Sequence, residues 1–244
     1  MIHDLYTLMW KEWREYLQQD RTRRRSPLRL FPLVLLGGAF FGWEMGPLFG
    51  HSWMTVFLTA FVGVMFVVTV IPDSFAGERE RHTLDTLLAS RLPDEAILFG
   101  KVAASVSYGW AIALAVLPIG ILTATLIHGR GETPLFEPLV VAAAVVAALL
   151  GGLLLAGIGV LISLRAASVQ QAHQILGFTM LGLFFVPLGI LQILPAAWTA
   201  RAVEALTGVT PLRGALLGAA VLALLDVLVL AFARTRFRRG RLIT

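Results

Sequence analysis

The chain has 244 residues, of which 57% are hydrophobic and only 14% are charged. Because soluble domains carry about 25% charged residues, this composition excludes an ordinary water-soluble domain. The formal net charge is +5, but the basic residues lie at the ends of apolar segments. That pattern is typical of membrane topology and argues against nucleic acid as a partner. Cysteine is absent, which excludes disulfides and thiolate metal sites.

The first 29 residues predict an amphipathic helix followed by a basic cytoplasmic segment. Between residues 4 and 19, aromatic and aliphatic side chains share one broad helical face, and charged side chains lie largely opposite. Trp10, Trp13 and Tyr16 belong to the apolar face, where aromatic rings suit the headgroup boundary of a bilayer. We therefore expect these three residues to anchor the helix at the membrane interface. No cleavable signal peptide is expected, because the first thirty residues lack an apolar core.

Residues 30–244 predict a transmembrane domain of six helices. Each apolar stretch is about as long as the roughly 20 residues that cross a bilayer core of about 30 Å. With both termini in the cytoplasm, nearly all Lys and Arg lie inside, as the positive-inside rule requires. The predicted fold class is therefore an all-α integral membrane protein with both termini cytoplasmic and a basic tail at residues 234–244. The predicted spans are Leu30–Phe49, Trp53–Ile71, Val102–Ile127, Leu139–Ile162, Ala172–Leu194 and Leu212–Ala233.

Two of the predicted spans contain a carboxylate. Glu44 lies fairly close to the outer edge of the first span, and Asp226 lies deeper in the last. An ionisable group near the middle of a bilayer costs roughly 2.5–3.5 kcal/mol on insertion scales, so it usually faces a cavity or a partner. Both residues are candidates for a translocation path or a proton relay. The alternative is a structural role near a span end, hydrated or paired with an arginine.

Small residues recur at four-residue spacing in the first and fourth predicted spans. Such ridges allow two helix backbones to approach closely, either within one chain or between two subunits. The sequence leaves both possibilities open. The two ridges are Gly38, Gly42 and Gly46, and Ala144, Ala148, Gly152 and Ala156.

Sequence motifs for chemistry are missing from this chain. Gly100 and Lys101 are followed by Val102 rather than by Ser or Thr, so a nucleotide-binding P-loop is not formed there. The zinc-protease motif HExxH does not occur, and no pair of intramembrane aspartates suggests proteolysis. We therefore predict no catalytic residues, no metal site and no enzyme activity for the chain itself.

The inner loop after the second predicted span, residues 73–93, combines dense alternating charge with a leucine face. Thr83 is a candidate helix cap, Leu84 and Leu88 share a helical face, and Pro93 follows shortly after. A short charged helix with exposed leucines on the cytoplasmic side is suited to docking another protein. The alternative is a solvated loop whose arginines only set the topology, against which the leucine face argues.

With these features the chain resembles the membrane subunits of ABC-2 type ABC transporters over essentially its whole length. One departure from the family pattern is His82, which stands where a small residue is more usual. The likeness is carried by Trp10-Lys11-Glu12-Trp13, by Phe75-Ala76-Gly77-Glu78-Arg79-Glu80-Arg81 with Thr83-Leu84-Asp85 and Leu87-Leu88-Ala89-Ser90, and by the stretch from Ile97 to Lys101.

In that family a coupling helix docks into a groove of a separately encoded ATPase, which binds ATP and Mg²⁺. The resemblance places the coupling helix at residues 73–95 and makes the N-terminal helix the connecting helix that flanks the ATPase. It implies a second permease copy, as a homodimer or with a related permease, contact with membrane lipid, and no cofactor bound by this chain. The implied ATPase-contacting residues are Gly77, Glu78, Arg79, Glu80, Arg81, Thr83, Leu84, Asp85 and Leu88.

The expected function is thus the multi-pass permease subunit of an ATP-driven exporter in the cell membrane. Two other functions compete with it. An ATP-independent carrier or channel would show inverted repeats and broken helices around a midplane charge cluster, and no obvious repeat is present. A membrane scaffold of a biogenesis or signalling complex would use the same loop without transport. The sequence does not indicate a substrate.

Overall fold

A computed structural model describes residues 2–22, 30–82, 93–129, 136–193, 195 and 210–237, which contain helices and turns but no strand. The longer helices follow the predicted spans closely, because continuous apolar runs satisfy their backbone polar groups internally only as helices. The elements are α1 (Ile2–Thr22), α2 (Leu30–Met45), α3 (Trp53–Pro72), a π-helical turn (Asp73–Gly77), α4 (Glu78–Glu80), α5 (Asp94–His128), α6 (Pro138–Ser163), α7 (Val169–Ile193) and α8 (Pro211–Arg236).

Four of the described helical segments are long and apolar enough to cross a membrane. These are Trp53–Glu80, Asp94–His128, Pro138–Ser163 and Pro211–Arg236. The chain is therefore a multi-pass membrane protein. Helices α2 and α7 coincide with the two other predicted spans, while six spans and two cytoplasmic termini stay predictions.

Two helix boundaries differ from the predicted spans for identifiable reasons. Helix α2 ends at Met45, because Gly46 adopts a φ of 52° and the chain turns into a short 3-10 helix. Helix α5 begins at Asp94, eight residues before the predicted span. Asp94 and Glu95 lie in its first turn, where negative charge stabilises the N-terminus of a helix.

Helix α3 forms the centre of the fold. It packs most extensively against α6 and also against α5. Val64, Val67 and Ile71 of α3 are fully buried and meet Leu155 and Val160 of α6 in the largest apolar cluster. Helix α2 packs on α5, α8 packs on α6, and α1 lies along α5.

Both small-residue ridges are occupied by neighbouring helices of the same chain. A Cβ on Gly42 of α2 would collide with the backbone carbonyl of Gly120 in α5. In α6, Ala148 lies against Gly63 of α3, and Ala144 is fully buried. Of the two possibilities that the sequence leaves open, these residues therefore serve close packing within the chain.

Candidate functional site

The end of α3 continues toward α4 without a break in the helical path. The π-helical turn Asp73–Gly77 follows directly after Pro72, and α4 ends at a turn that includes Arg81 and His82. The hydroxyl of Ser163 in α6 donates to the carbonyl of Pro72 at 3.0 Å and accepts from the backbone N–H of Ala76 at 2.9 Å. These two bonds satisfy backbone groups that a π-turn displaces from the regular helical ladder. We call residues 73–82 the docking segment, after the docking role that the sequence predicts for this loop.

A buried cation joins the docking segment to two other helices. The Nζ of Lys101, in the second turn of α5, lies 2.7 Å from Glu12 Oε1 of α1 and 2.8 Å from Glu78 Oε1 of α4. The side chains of Lys101 and Glu12 are only 1% and 3% exposed, whereas Glu78 is 13% exposed. The ring of Phe75 lies 5.6 Å from the same nitrogen. We call Glu12, Lys101 and Glu78 the buried triad.

Further contacts fix α1 along α5 on either side of the triad. One turn before Glu12, Leu8 is buried and touches the backbone at Gly100. One residue after it, the indole N–H of Trp13 donates to the hydroxyl of Ser107 at 2.8 Å. Helix α1 is therefore held on the protein by one face that carries both apolar and charged contacts.

Tyr16 extends this attachment to the docking segment. Its hydroxyl lies 3.2 Å from that of Ser74 in the π-helical turn. Burial, reinforced by the nearby Glu12 carboxylate, raises the pKa of Tyr16 well above its usual range. Deprotonation of this phenol therefore requires a more alkaline solution than that of an exposed tyrosine.

The opposite side of the docking segment contacts the connection between α6 and α7. The guanidinium of Arg79 donates to the carbonyl of Ala166 at 3.0 Å and to that of Leu164 at 2.9 Å. The carboxylate of Glu80 accepts from the backbone N–H of Val169 at 2.8 Å, which caps the first turn of α7. The docking segment is thus held between the triad on one side and the α6–α7 connection on the other.

Comparison with known protein families identifies the family of this chain. The family model described as "ABC-2 type transporter" matches residues 3–198, which include α1, the docking segment and the α6–α7 connection. The chain belongs to the ABC-2 type transporter family. No curated protein sequence matches the chain. As an ABC-2 membrane domain, the chain is a permease component of an ABC transporter and not itself its ATPase.

The structure of this ABC-2 permease gives three of the predicted ATPase-contacting residues partners within the chain. Glu78, Arg79 and Glu80 make the contacts described above, and Gly77 is buried. Arg81 is exposed at the end of the docking segment. Thr83, Leu84, Asp85 and Leu88 lie outside the described residues. Contact of any of these residues with an ATPase stays a prediction.

The predicted membrane anchors of the permease separate into two groups. Trp13 and Tyr16 have the hydrogen-bond partners on α5 and the docking segment described above. Trp10 is 55% exposed, and Tyr6, one turn earlier in α1, is 59% exposed. Anchoring of α1 in lipid stays a prediction, and the exposed pair Tyr6 and Trp10 is where it is best tested.

The two intramembrane carboxylates lie in different environments. Glu44 is exposed near the C-terminal end of α2. Asp226 is only 2% exposed, on the face of α8 that packs against α6. Among the described residues, neither oxygen of Asp226 has a hydrogen-bond partner. A role of either residue in translocation stays a prediction. The described part of the chain contains no cluster of three potential metal ligands.

Glu12 and Lys101 are functional candidates that the sequence alone did not predict. Lys101 entered only through the missing P-loop and the stretch from Ile97 to Lys101, and Glu12 only as part of the motif Trp10-Lys11-Glu12-Trp13. The sequence does contain a pattern that indicates burial of Glu12. Leu8, Glu12 and Tyr16 are spaced four residues apart and therefore share one helical face. A carboxylate between two apolar residues on one helical face indicates a buried partner.

His82 ends the docking segment in a conformation that favours glycine. Its φ is 55°, which costs an ordinary residue roughly 1–2 kcal/mol. We expect His82→Gly to raise the unfolding temperature in detergent and His82→Val to lower it, because a β-branched side chain fits this region worst. His51→Gly is the matched control, since His51 is exposed in a turn without positive φ. Destabilisation by both glycine substitutions would contradict the assignment of strain to His82.

Proposed function

We propose that this chain is the membrane subunit of an ATP-driven ABC-2 exporter whose docking segment receives a separately encoded ATPase. The observation that carries the proposal is the support of this segment from two sides. Glu78 is held on Lys101, and Arg79 and Glu80 are held on the α6–α7 connection. A segment fixed in this way transmits a displacement to several spanning helices, whereas a loose loop would absorb it.

The distribution of charge supports the proposed topology. Glu95 at the start of α5 pairs with Arg234 at the end of α8 at 2.5 Å, which brings both helix ends to the side of the docking segment. Arg79 and Arg165 lie on that same side. A concentration of basic residues at one end of the helices is the pattern of a cytoplasmic face. We therefore propose six spans with both termini in the cytoplasm of a cell-membrane protein.

The proposed mechanism divides the work between two kinds of subunit. The partner ATPase binds ATP and Mg²⁺ and supplies the free energy of hydrolysis. In this chain, the docking segment passes the movement of the ATPase to α3, which continues into it, and to α6 through Ser163. A second permease copy, identical or related, completes the translocation path, and α1 lies beside the ATPase at the lipid surface.

Co-purification in detergent tests this proposal. The tagged chain is expressed with a candidate P-loop ATPase from the same organism, and retained ATPase is compared between wild type and Arg81→Glu/Leu84→Asp. Arg81 is chosen because it is exposed, whereas reversing the charge of Glu78 would disturb a buried ion pair. We expect the double variant to lose most of the bound ATPase.

Arg213→Glu is the matched control for this experiment. Arg213 is also exposed but lies at the N-terminal end of α8, away from the docking segment, so its reversal is expected to leave the complex intact. A wild-type chain that purifies without the ATPase would contradict the proposal. Equal binding by the docking variant and the wild type would contradict the assignment of the docking segment.

A further inference from the structure

The buried triad contains one cation and two carboxylates. Both Glu12 and Glu78 bind the same nitrogen of Lys101 through one oxygen each, so their carboxylates are necessarily close to each other. Each attracts the lysine and repels the other carboxylate. In a buried environment this repulsion is large, because water screens it little. This repulsion weakens the net hold on each carboxylate, so removing one carboxylate strengthens the hold on the other.

The two carboxylates belong to different elements of the fold. Glu12 is in α1, which is attached to α5 through Leu8 and Trp13 as well. Glu78 is in the docking segment and is the more exposed of the two, at 13% against 3%. Displacement of the docking segment would therefore separate Glu78 from Lys101 first. The almost fully buried contact between Glu12 and Lys101 would be affected only later.

We propose that Lys101 is a positioning residue through which the docking segment controls the attachment of α1. While Glu78 shares the lysine, α1 is held less firmly. When Glu78 leaves, its repulsion of Glu12 is lost, and the remaining pair of Glu12 and Lys101 holds α1 more firmly on α5. The functional meaning of this control rests on the proposed role of the docking segment, since it converts a movement of that segment into a change at the N-terminal helix.

Hydrogen exchange on the purified chain alone tests the inference. In Glu78→Gln, the amides of α1 are expected to exchange roughly tenfold more slowly, since a nearby negative charge is removed from the site of Glu12. Coupling between two sites is reciprocal, so Glu12→Gln is expected to slow exchange in residues 73–80. Lys101→Met is expected to accelerate exchange in both segments.

Glu80→Gln is the matched control. Glu80 belongs to the same short helix but accepts from Val169 instead of Lys101. Its neutralisation is expected to accelerate exchange at the start of α7 and to leave α1 unchanged. Because Glu78→Gln and Glu12→Gln each leave Lys101 with one carboxylate, the test does not depend on whether Lys101→Met folds.

A disulfide between α1 and α5 provides a reference protein in which α1 cannot detach. The sequence contains no cysteine, and a Cβ at Gly100 would lie 3.2 Å from the Cβ of Leu8, slightly less than the roughly 3.5–4.5 Å of a disulfide, so a small outward shift of α1 would accommodate the bond. Leu8→Cys/Gly100→Cys, once oxidised, fixes α1 on α5. In this background Glu78→Gln is expected to have no further effect on the exchange of α1.

The sign of the Glu78→Gln effect decides the outcome. Slower exchange in α1 supports shared use of Lys101, whereas faster or unchanged exchange overturns it and leaves the triad as a static attachment. These measurements need no ATPase. Failure of an ATPase to co-purify would contradict the proposed function and leave the exchange result standing.

Discussion

Lys101→Met is expected to destabilise the chain more than any other single substitution of a charged residue described above. It leaves Glu12 and Glu78 without the cation that both of them bind, and Glu12 is almost fully buried. Removing one partner from a buried ion pair costs about 3–5 kcal/mol, because an uncompensated charge remains. The unfolding temperature in detergent, followed by tryptophan fluorescence, measures the effect, and loss of the monodisperse protein is its extreme form.

The triple variant Lys101→Met/Glu12→Gln/Glu78→Gln separates this cause from a general loss of packing. It removes the three charges that pair with one another, and we expect it to recover most of the lost stability. Lys11→Met is the matched control, since Lys11 pairs with Glu15 at 3.4 Å on the exposed face of α1. Exposed pairs of this kind contribute a few tenths of a kcal/mol. A triple variant no more stable than Lys101→Met would contradict the electrostatic explanation.

The family and the course of the longer helices were predictable from local sequence. Apolar runs of membrane-spanning length locate helices, because a bilayer leaves no other way to satisfy the backbone. The predicted span Leu139–Ile162, for example, differs from α6 by one residue at each end. The segment around Glu78 was also recognisable, since its charges are consecutive in the chain.

The contacts of the site were not predictable, because they join residues far apart in sequence. Lys101 meets Glu12 across 89 positions, and Arg79 reaches Leu164 across 85. Helical periodicity assigns a glutamate to the polar face and takes no account of a lysine on another helix. For this reason the prediction for α1 emphasised its aromatic face, whereas the face held on α5 includes Leu8 and Glu12.

The cost of burying a charge without a partner also predicts the second large effect on stability, which is expected at Asp226. This residue lies within α8, is 2% exposed, and has no hydrogen-bond partner on either oxygen among the described residues. A carboxyl group in such a place opposes folding, because its desolvation is not compensated. Asparagine has nearly the same shape and cannot become charged. We therefore expect Asp226→Asn to raise the unfolding temperature by several degrees, about 2–4 °C for each kcal/mol gained.

Asp94→Asn is the matched control, and its expected effect has the opposite sign. Asp94 occupies the first turn of α5, where a negative charge stabilises the helix, so its neutralisation is expected to lower the unfolding temperature slightly. A fall in stability on Asp226→Asn would mean that the carboxylate has a partner beyond the described residues, in the same chain or in a second subunit. A stable Asp226→Asn protein that binds the ATPase but does not transport would instead support the predicted place of Asp226 on the translocation path, because natural proteins retain destabilising charges where function requires them.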